Sequence, residues 1–596
     1  MRFAGLVIIA LACLSLAGCS ETEPADASAP QEFLGYYNDL DQSLGSVAAE
    51  AAWRAATESS ERTNGERLGA EKTLAAFRGS RYVIENSRRF LASRTSLSEL
   101  EFRQLDKILL RAAESPVTLA EAVSARLETE SRLRTALDAG QYCLEFRGGN
   151  CLKNLPAAQL DAILETSMNL KERRRAWEAA MEPGRKLKND LSELRDLRNR
   201  TATALGYSSY FHLQVADYGM SVQEMLQLMD KLLVDLEPIY RELHLYARRR
   251  LAQRYRQAEP ELIPSDWLSD RWGRSWSGMS ENFAPDELFR GRTAEWVARQ
   301  AEKFFQSLGW PPLPRSFWEK SHFYPASTSA NRAQTMAPLV VNIDLDRDVR
   351  VLMNITPTLH GFEVSHNMLG QAYYTLAYAN PRVPVVLREA ANRAFSQAVG
   401  DLLAIASRQG PYLRAIGLLP EGRTVDQNQW LLAEALEGAV VRLPWSAGAM
   451  AHFEHDLYER RLPAGRFNRH WWSLVTRYQG LQSPGPRGEE FCDVCNDPVL
   501  ADQPARSYDF ALAAIITYHL HDYISRQILH QDPHRCNYYG HREVGRWLWE
   551  ILSLGATRDW RQVIREKTGE EISSRALVEY FRPLLSYLRK VNQTGR

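Results

Sequence analysis

The stretch Glu363-Val364-Ser365-His366-Asn367-Met368-Leu369-Gly370-Gln371-Ala372-Tyr373-Tyr374 decides how the chain is read. Ahead of it, Thr356-Pro357 reads as a helix start, with threonine as N-cap and proline at the first helical position. The helix should run to about Ala379, because Pro381 cannot sit in a helix interior. Just upstream, residues 339–343 and 349–352 are rich in Val, Leu and Ile and flank Asp344-Leu345-Asp346-Arg347-Asp348. That pattern predicts a short hairpin. A second helix is expected over about 387–407, carrying Phe395-Ser396-Gln397-Ala398-Val399-Gly400-Asp401.

Outward from this centre, helical periodicity dominates. Residues 48–78, 97–114, 160–205 and 222–258 read as long amphipathic helices. Leu226, Met229, Leu232, Leu233 and Leu236 mark one apolar stripe, largely at spacings of three and four. Strand-like sequence is scarce, and no repeat is visible. The Pro-rich stretch 310–317 and the Gly/Pro loop 483–486 are too short to be linkers, so one continuous helical body is expected. Lys+Arg and Asp+Glu each number 73, and this balance argues against a nucleic-acid partner, which needs a basic surface.

A hairpin followed by a helix is where a zinc hydrolase places His-Glu-x-x-His. Two histidines four apart share one helix face and one Zn²⁺, and the adjacent glutamate accepts a proton from the metal-bound water. The third ligand arrives from the next helix. Here the five positions read His366-Asn367-Met368-Leu369-Gly370, and only the first histidine is present. His360, Glu363 and His366 do not rebuild a site, since His360 and His366 point about 120° apart on a helix. His519, His521, His530, His534 and His541 read as hydrogen-bonded or solvated side chains.

Several collinear segments resemble the angiotensin-converting enzyme (peptidyl-dipeptidase A) family. They include Val383-Pro384-Val385-Val386-Leu387-Arg388-Glu389-Ala390-Ala391-Asn392 and Ala398-Val399-Gly400-Asp401-Leu402-Leu403-Ala404. Further matches are Leu432-Ala433-Glu434-Ala435-Leu436-Glu437, Trp471-Trp472-Ser473-Leu474, Arg477-Tyr478-Gln479-Gly480-Leu481 and Tyr580-Phe581-Arg582-Pro583-Leu584-Leu585-Ser586-Tyr587-Leu588. Upstream, Arg195-Asp196-Leu197-Arg198-Asn199, Ile263-Pro264, Trp272 and Trp276 fit as well, so the likeness runs over about residues 35–590. It implies a mainly α, two-lobed helical fold with a deep central cleft and one very small β-hairpin or sheet.

Carried over residue by residue, the resemblance implies a lost zinc centre. His366 falls on the first zinc histidine, Asn367 on the general-base glutamate, Gly370 on the second histidine and Gln397 on the third ligand. The histidine and tyrosine that stabilise the oxyanion fall at Leu500 and Phe510, and a chloride-binding arginine falls at Asp509. No histidine lies between His322 and His360, where the family has another substrate-binding one. No cofactor is therefore expected, although the family uses zinc. The implied molecule is a catalytically degenerate pseudoenzyme with a peptide or an envelope protein in its cleft. The alternative is an active zinc peptidyl-dipeptidase with an unconventional metal site.

The N-terminus predicts the compartment. Arg2, the apolar run 3–16 and Leu16-Ala17-Gly18-Cys19 resemble a bacterial lipoprotein signal peptide, residues 1–18, with lipid on Cys19. Residues 19–34 read as a tether and 35–596 as the helical domain, two subdomains around a cleft. Ser20 directs the expectation to the outer membrane, facing the periplasm. In that oxidising setting Cys143 and Cys151, either side of Gly148-Gly149, should form a disulfide. Cys492, Cys495 and Cys536 leave several pairings open and one thiol over. The resemblance accounts for Cys536 as half of a family pair whose partner position is Ser525.

Overall fold

The computed structural model describes residues 29–594 apart from 59, 139–140, 148–149, 278, 280–284, 324–337 and 424. The signal segment, Cys19 and the Gly148-Gly149 turn lie outside the described residues. The fold is mainly helical, as expected, and the described residues form three two-stranded sheets rather than one. None of the described helices is long and apolar enough to cross a membrane.

Helix α1 (Ala29–Glu58) opens the described chain. It begins inside the span assigned to the tether, because Phe33 and Leu34 are buried in a small core with Val83, Phe90, Leu105 and Val386. The single helix expected over 48–78 is broken by Ser60, whose hydroxyl accepts from Thr63 N to start α2 (Glu61–Arg78). α3 (Glu99–Glu114) and α4 (Ala120–Asp138) follow. The hairpin β1 (Gln141–Arg147) and β2 (Asn150–Pro156) is closed by the Cys143–Cys151 disulfide. The span 160–205 is three helices, Ala157–Thr166, Leu170–Met181 and Gly184–Ala204. Asn169 caps the second, and Pro183, which donates no hydrogen bond, precedes the third. After the short α5 (Tyr210–Ala216), α6 (Val222–Tyr255) buries Met225, Met229, Leu232, Leu236, Ile239 and Leu243 along one stripe.

Strand β3 (Ile263–Pro264) pairs in parallel with the late β6 (Leu481–Gln482). After α7 (Ala294–Ser307) comes the predicted hairpin, β4 (Leu339–Asn342) and β5 (Val349–Leu352). It delivers the chain to α8 (Leu359–Tyr378). The N-cap of α8 is Thr358, accepting from Gly361 N at 3.0 Å, so Thr356-Pro357 lies just outside the helix. Residues 385–387 form a single 3₁₀ turn, and α9 (Arg393–Ser407) begins where Asn392 Oδ1 accepts from Phe395 N at 2.8 Å. α9 therefore starts later than the hydrophobic pattern alone indicates. α10 (Tyr508–Tyr523) and the closing α11 (Arg575–Thr594) complete the centre, with α9 packed between α8 and α10.

One contiguous apolar core runs from Ala113 to Leu588, with two small satellites beneath α1. Large fully buried aromatics such as Trp177, Trp276, Trp445 and Tyr412 fill it. Cys492 and Cys495 form a disulfide, and Cys536 is the buried free thiol, its pKa pushed up to about 12 by burial.

Candidate active site

α8 has two unlike faces, and the expected site residues divide between them. His366 faces inward and is fully buried. Phe362 lies 4.3 Å from it, Phe304 5.2 Å and Tyr412 5.8 Å, measured between ring centroids. Its Nδ1 bonds to the Phe362 carbonyl at 2.8 Å. A carbonyl only accepts, so Nδ1 carries the hydrogen and Nε2 accepts from the Tyr412 hydroxyl at 3.2 Å. Burial among rings pushes the pKa down to about 4, so the imidazole is neutral at pH 7. Gly370, one turn on, faces α9: a Cβ there would lie 2.6 Å from Leu403 Cδ1.

The other face of α8 carries Asn367 and Gln371, both half-buried. Asn367 Nδ2 donates to Asp401 Oδ1 at 2.8 Å, and Gln397 Nε2 donates to the same oxygen at 2.8 Å. Gln371 Nε2 donates to Asn367 Oδ1 at 2.7 Å. An ionised carboxylate only accepts, which fixes the two amides that face Asp401 with their NH₂ groups inward. Gly400 makes the approach of α8 to α9 feasible, because a Cβ would come within 2.4 Å of Asn367 Oδ1. Burial pushes the Asp401 pKa up to about 6, against the pull of Gln397, Arg442 and Asn367.

Two side chains four apart on one helix and a third from the next are the layout of a zinc triad. The structure brings together Asn367, Gln371 and Gln397 in that layout, not His366, Gly370 and Gln397. The resemblance assigns the ligand positions to 366 and 370, whereas the residues that meet α9 through hydrogen bonds are their neighbours, 367 directly and 371 through 367. A one-residue step turns a helix by about 100°, which sets His366 in the core while Asn367 stands half-buried. Asn367, which the resemblance assigns to the general-base position, is a member of this amide cluster. Sequence reasoning passes over Gln371 and Asp401 as site residues, yet both sit at an i+4 spacing from residues it singles out.

The remaining expected positions are apolar or paired. Leu500 is buried, its side chain is apolar, and its carbonyl accepts from Arg198 Nη1 at 2.8 Å. Phe510 packs 6.1 Å from Trp445 under the Arg442 guanidinium at 5.6 Å. Asp509 accepts from the Tyr218 hydroxyl at 2.6 Å and from Arg393 Nε at 3.0 Å. Neither Leu500 nor Phe510 offers a donor to an oxyanion. Of the distal histidines, His521 binds the Tyr538 hydroxyl and the Pro533 carbonyl, both at 2.8 Å, and its pKa is pushed down to about 4 by burial. A polar cavity of about 620 Å³, whose lining includes none of the amide-cluster residues, opens between α2, α3, α4 and the first turn of α9.

The family model described as angiotensin-converting enzyme matches residues 24–596. The chain belongs to the angiotensin-converting enzyme family. It is 30% identical over 480 residues to the angiotensin-converting enzyme-like protein Ace3 of Mus musculus, covering 76% of this chain and 63% of that protein. Against angiotensin-converting enzyme of Bos taurus it is 27% identical over 594 residues, 96% of this chain and 44% of the relative. Against the Sus scrofa enzyme it is 28% identical over 485 residues, 78% and 36% respectively. The chain thus spans between about a third and two thirds of the length of these relatives. Membership of a zinc-dependent peptidase family makes the chemistry of the amide cluster the deciding question.

The donor set does not fit zinc. Structural and catalytic zinc is held by thiolate, imidazole and carboxylate. Here three neutral amides occupy the convergent positions, and their hydrogens are committed to one carboxylate and to one another. Among the described residues, no group of three or more His, Cys, Asp or Glu side chains is placed to share a metal ion.

Proposed function

We propose that this chain is a catalytically degenerate member of the angiotensin-converting enzyme family, a peptide-binding pseudopeptidase without zinc hydrolysis. The observation that carries the reading is the amide cluster in which Asn367 and Gln397 donate to Asp401 and Gln371 donates to Asn367, in the layout a metal triad would take. An amide has no usable basicity at neutral pH, and Met368 cannot accept a proton from water. Leu500 and Phe510 remove the oxyanion donors as well. The fold tolerates these losses because the amide cluster bridges α8 and α9 in the metal's place, above a core that is already packed.

The proposed setting is the bacterial cell envelope, with lipid on Cys19 holding the chain to the outer membrane on its periplasmic side. A peptide or an envelope protein would occupy the cleft. Cys19→Ser should move the chain from the membrane to the soluble fraction. If the variant remained in the membrane fraction, that anchor would be discarded. The catalytic reading is tested on the purified chain by elemental zinc analysis, release of C-terminal dipeptides and peptide binding. Binding without zinc or cleavage is expected. Stoichiometric zinc with chelator-sensitive cleavage would overturn it.

A further inference from the structure

Among the described residues, only two aromatic side chains are exposed, Tyr36 at 51% and Tyr82 at 52%. They lie together, edge to face with ring centroids 5.7 Å apart, although one stands on α1 and the other on the helix Arg81–Leu91. Phe33, buried beneath them, packs 5.8 Å from Tyr82 and 5.7 Å from Phe90 and so holds the two helices together. A tyrosine placed this way offers an apolar ring and a polar tip, which suits a boundary between water and lipid.

The helix beside this pair is basic on its outer side. Val83, Ile84, Ser87 and Phe90 are buried, whereas Arg81, Tyr82, Glu85, Arg88 and Arg89 are exposed. Three arginines thus stand against one glutamate, and Glu85 lies 4.0 Å from Arg81. Among the described residues, Arg88 and Arg89 have no carboxylate partner; Arg89 Nη2 donates to Asn86 Oδ1 at 2.8 Å. On α1, Tyr36 stands about 60° round the helix from Phe33, and the exposed acids Glu32 and Asp39 about 100° and 120°. The acids therefore lie beyond Tyr36, away from the arginines.

This end of the molecule is also the end tied to the proposed lipid. Cys19 is ten residues before Ala29, where α1 begins, and an extended chain spans at most about 3.3–3.6 Å per residue, so the separation is at most about 35 Å. Tyr36 is only about 10 Å further along the helix. An anchor that close replaces free diffusion with a high local concentration, so contacts too weak to hold the chain alone decide which face turns to the bilayer. Each arginine near an anionic membrane surface contributes about fivefold.

We propose that the face formed by Tyr36, Tyr82, Arg88 and Arg89 docks on the anionic phospholipid surface to which the chain's own N-terminal lipid ties it. The inference rests on the lipid-anchor reading and adds an orientation: α1 and the helix Arg81–Leu91 lie against the bilayer, with the tyrosine rings at headgroup level.

The test attaches a polarity-sensitive nitrobenzoxadiazole label to the full lipidated chain after Ala92→Cys, exposed on the same side of the helix, or after Val234→Cys, 72% exposed on α6. Cys536 is buried, so the label goes to the new thiol. Flotation and emission are measured with phosphatidylcholine vesicles, with and without phosphatidylglycerol. The chain should float with both, and the label at position 92 should shift to the blue on the anionic vesicles while the label at 234 does not. Arg88→Glu with Arg89→Glu should lower the docked-to-undocked ratio at least about 25-fold without stopping flotation. Tyr36→Ser with Tyr82→Ser should lower it by a smaller factor. Flotation with no shift at position 92, or an equal shift at 234, would overturn the docking face and leave the anchor standing. An equal shift at position 92 on neutral vesicles would overturn the assignment to anionic lipid. No flotation with neutral vesicles would overturn the anchor reading and this inference together.

Discussion

The two faces of α8 carry neighbouring residues with opposite fates. His366 is sealed among Phe304, Phe362 and Tyr412, neutral and doubly hydrogen-bonded. Asn367, the next residue, stands half-buried against α9 and donates to Asp401. The lesson is that a histidine at a motif position in the sequence need not face the side of the helix where a ligand would stand. What decides is the face it occupies, and one residue of register is enough to change it.

Substitutions on the two faces should therefore differ in size and kind. The largest effect is expected from His366→Ala, which empties a filled aromatic site and removes the acceptor of the Tyr412 hydroxyl. A loss of about 3–5 kcal/mol is expected, by analogy with removing a buried ring, from denaturant unfolding. A loss under about 1 kcal/mol would mean the imidazole is not packed as described.

Acidification probes the same residue. The folded pKa of His366 is about 4, below the ordinary 6.5, so the unfolded chain binds more protons between those values. Its contribution to stability is complete above about pH 6.5 and is lost as pH falls toward 4, by about 3 kcal/mol in total. Asp401, with its pKa raised to about 6, pulls the other way over part of this range. The difference between native chain and His366→Asn isolates the histidine: the variant should show a shallower acid-side loss of stability. Parallel pH profiles would contradict a buried neutral imidazole.

Gly370→His comes next. The new side chain would start against Leu403, in the wrong direction for the cleft, and should cost about 1–3 kcal/mol as overpacking. An unchanged melting temperature would show that position 370 has free space. The smallest effect belongs to the cleft face. Asn367→Ala removes one donor to a half-buried carboxylate that keeps Gln397, and about 1 kcal/mol is expected.

Much of this molecule is legible in its residues. The helical class, the β4–β5 hairpin, the stripe along α6 and the Cys143–Cys151 pair follow from periodicity, spacing and compartment. The helix breaks at Ser60 and Asn169 do not, because a polar cap inside an amphipathic run leaves the apolar period almost intact. The start of α9 is hidden for a similar reason: the apolar 385–387 turn continues the helical pattern until Asn392 caps it. The triad layout is legible, but its register is not. His366 fits the motif by identity alone, whereas the amide cluster depends on which side of α8 meets α9. The Tyr36–Tyr82 contact joins residues far apart in sequence, so no local pattern marks it.

The most direct test compares two triple variants by zinc titration, followed through bound metal and thermal shift. In Asn367→His with Gln371→His and Gln397→Glu, the new ligands would converge, and Asp401 would support the first imidazole. This variant is expected to bind one zinc and gain melting temperature with metal. The variant Asn367→Glu with Gly370→His and Gln397→Glu, which completes the motif on His366, is expected to bind none. Zinc held by the second variant and refused by the first would contradict the placement of the lost site on Asn367, Gln371 and Gln397.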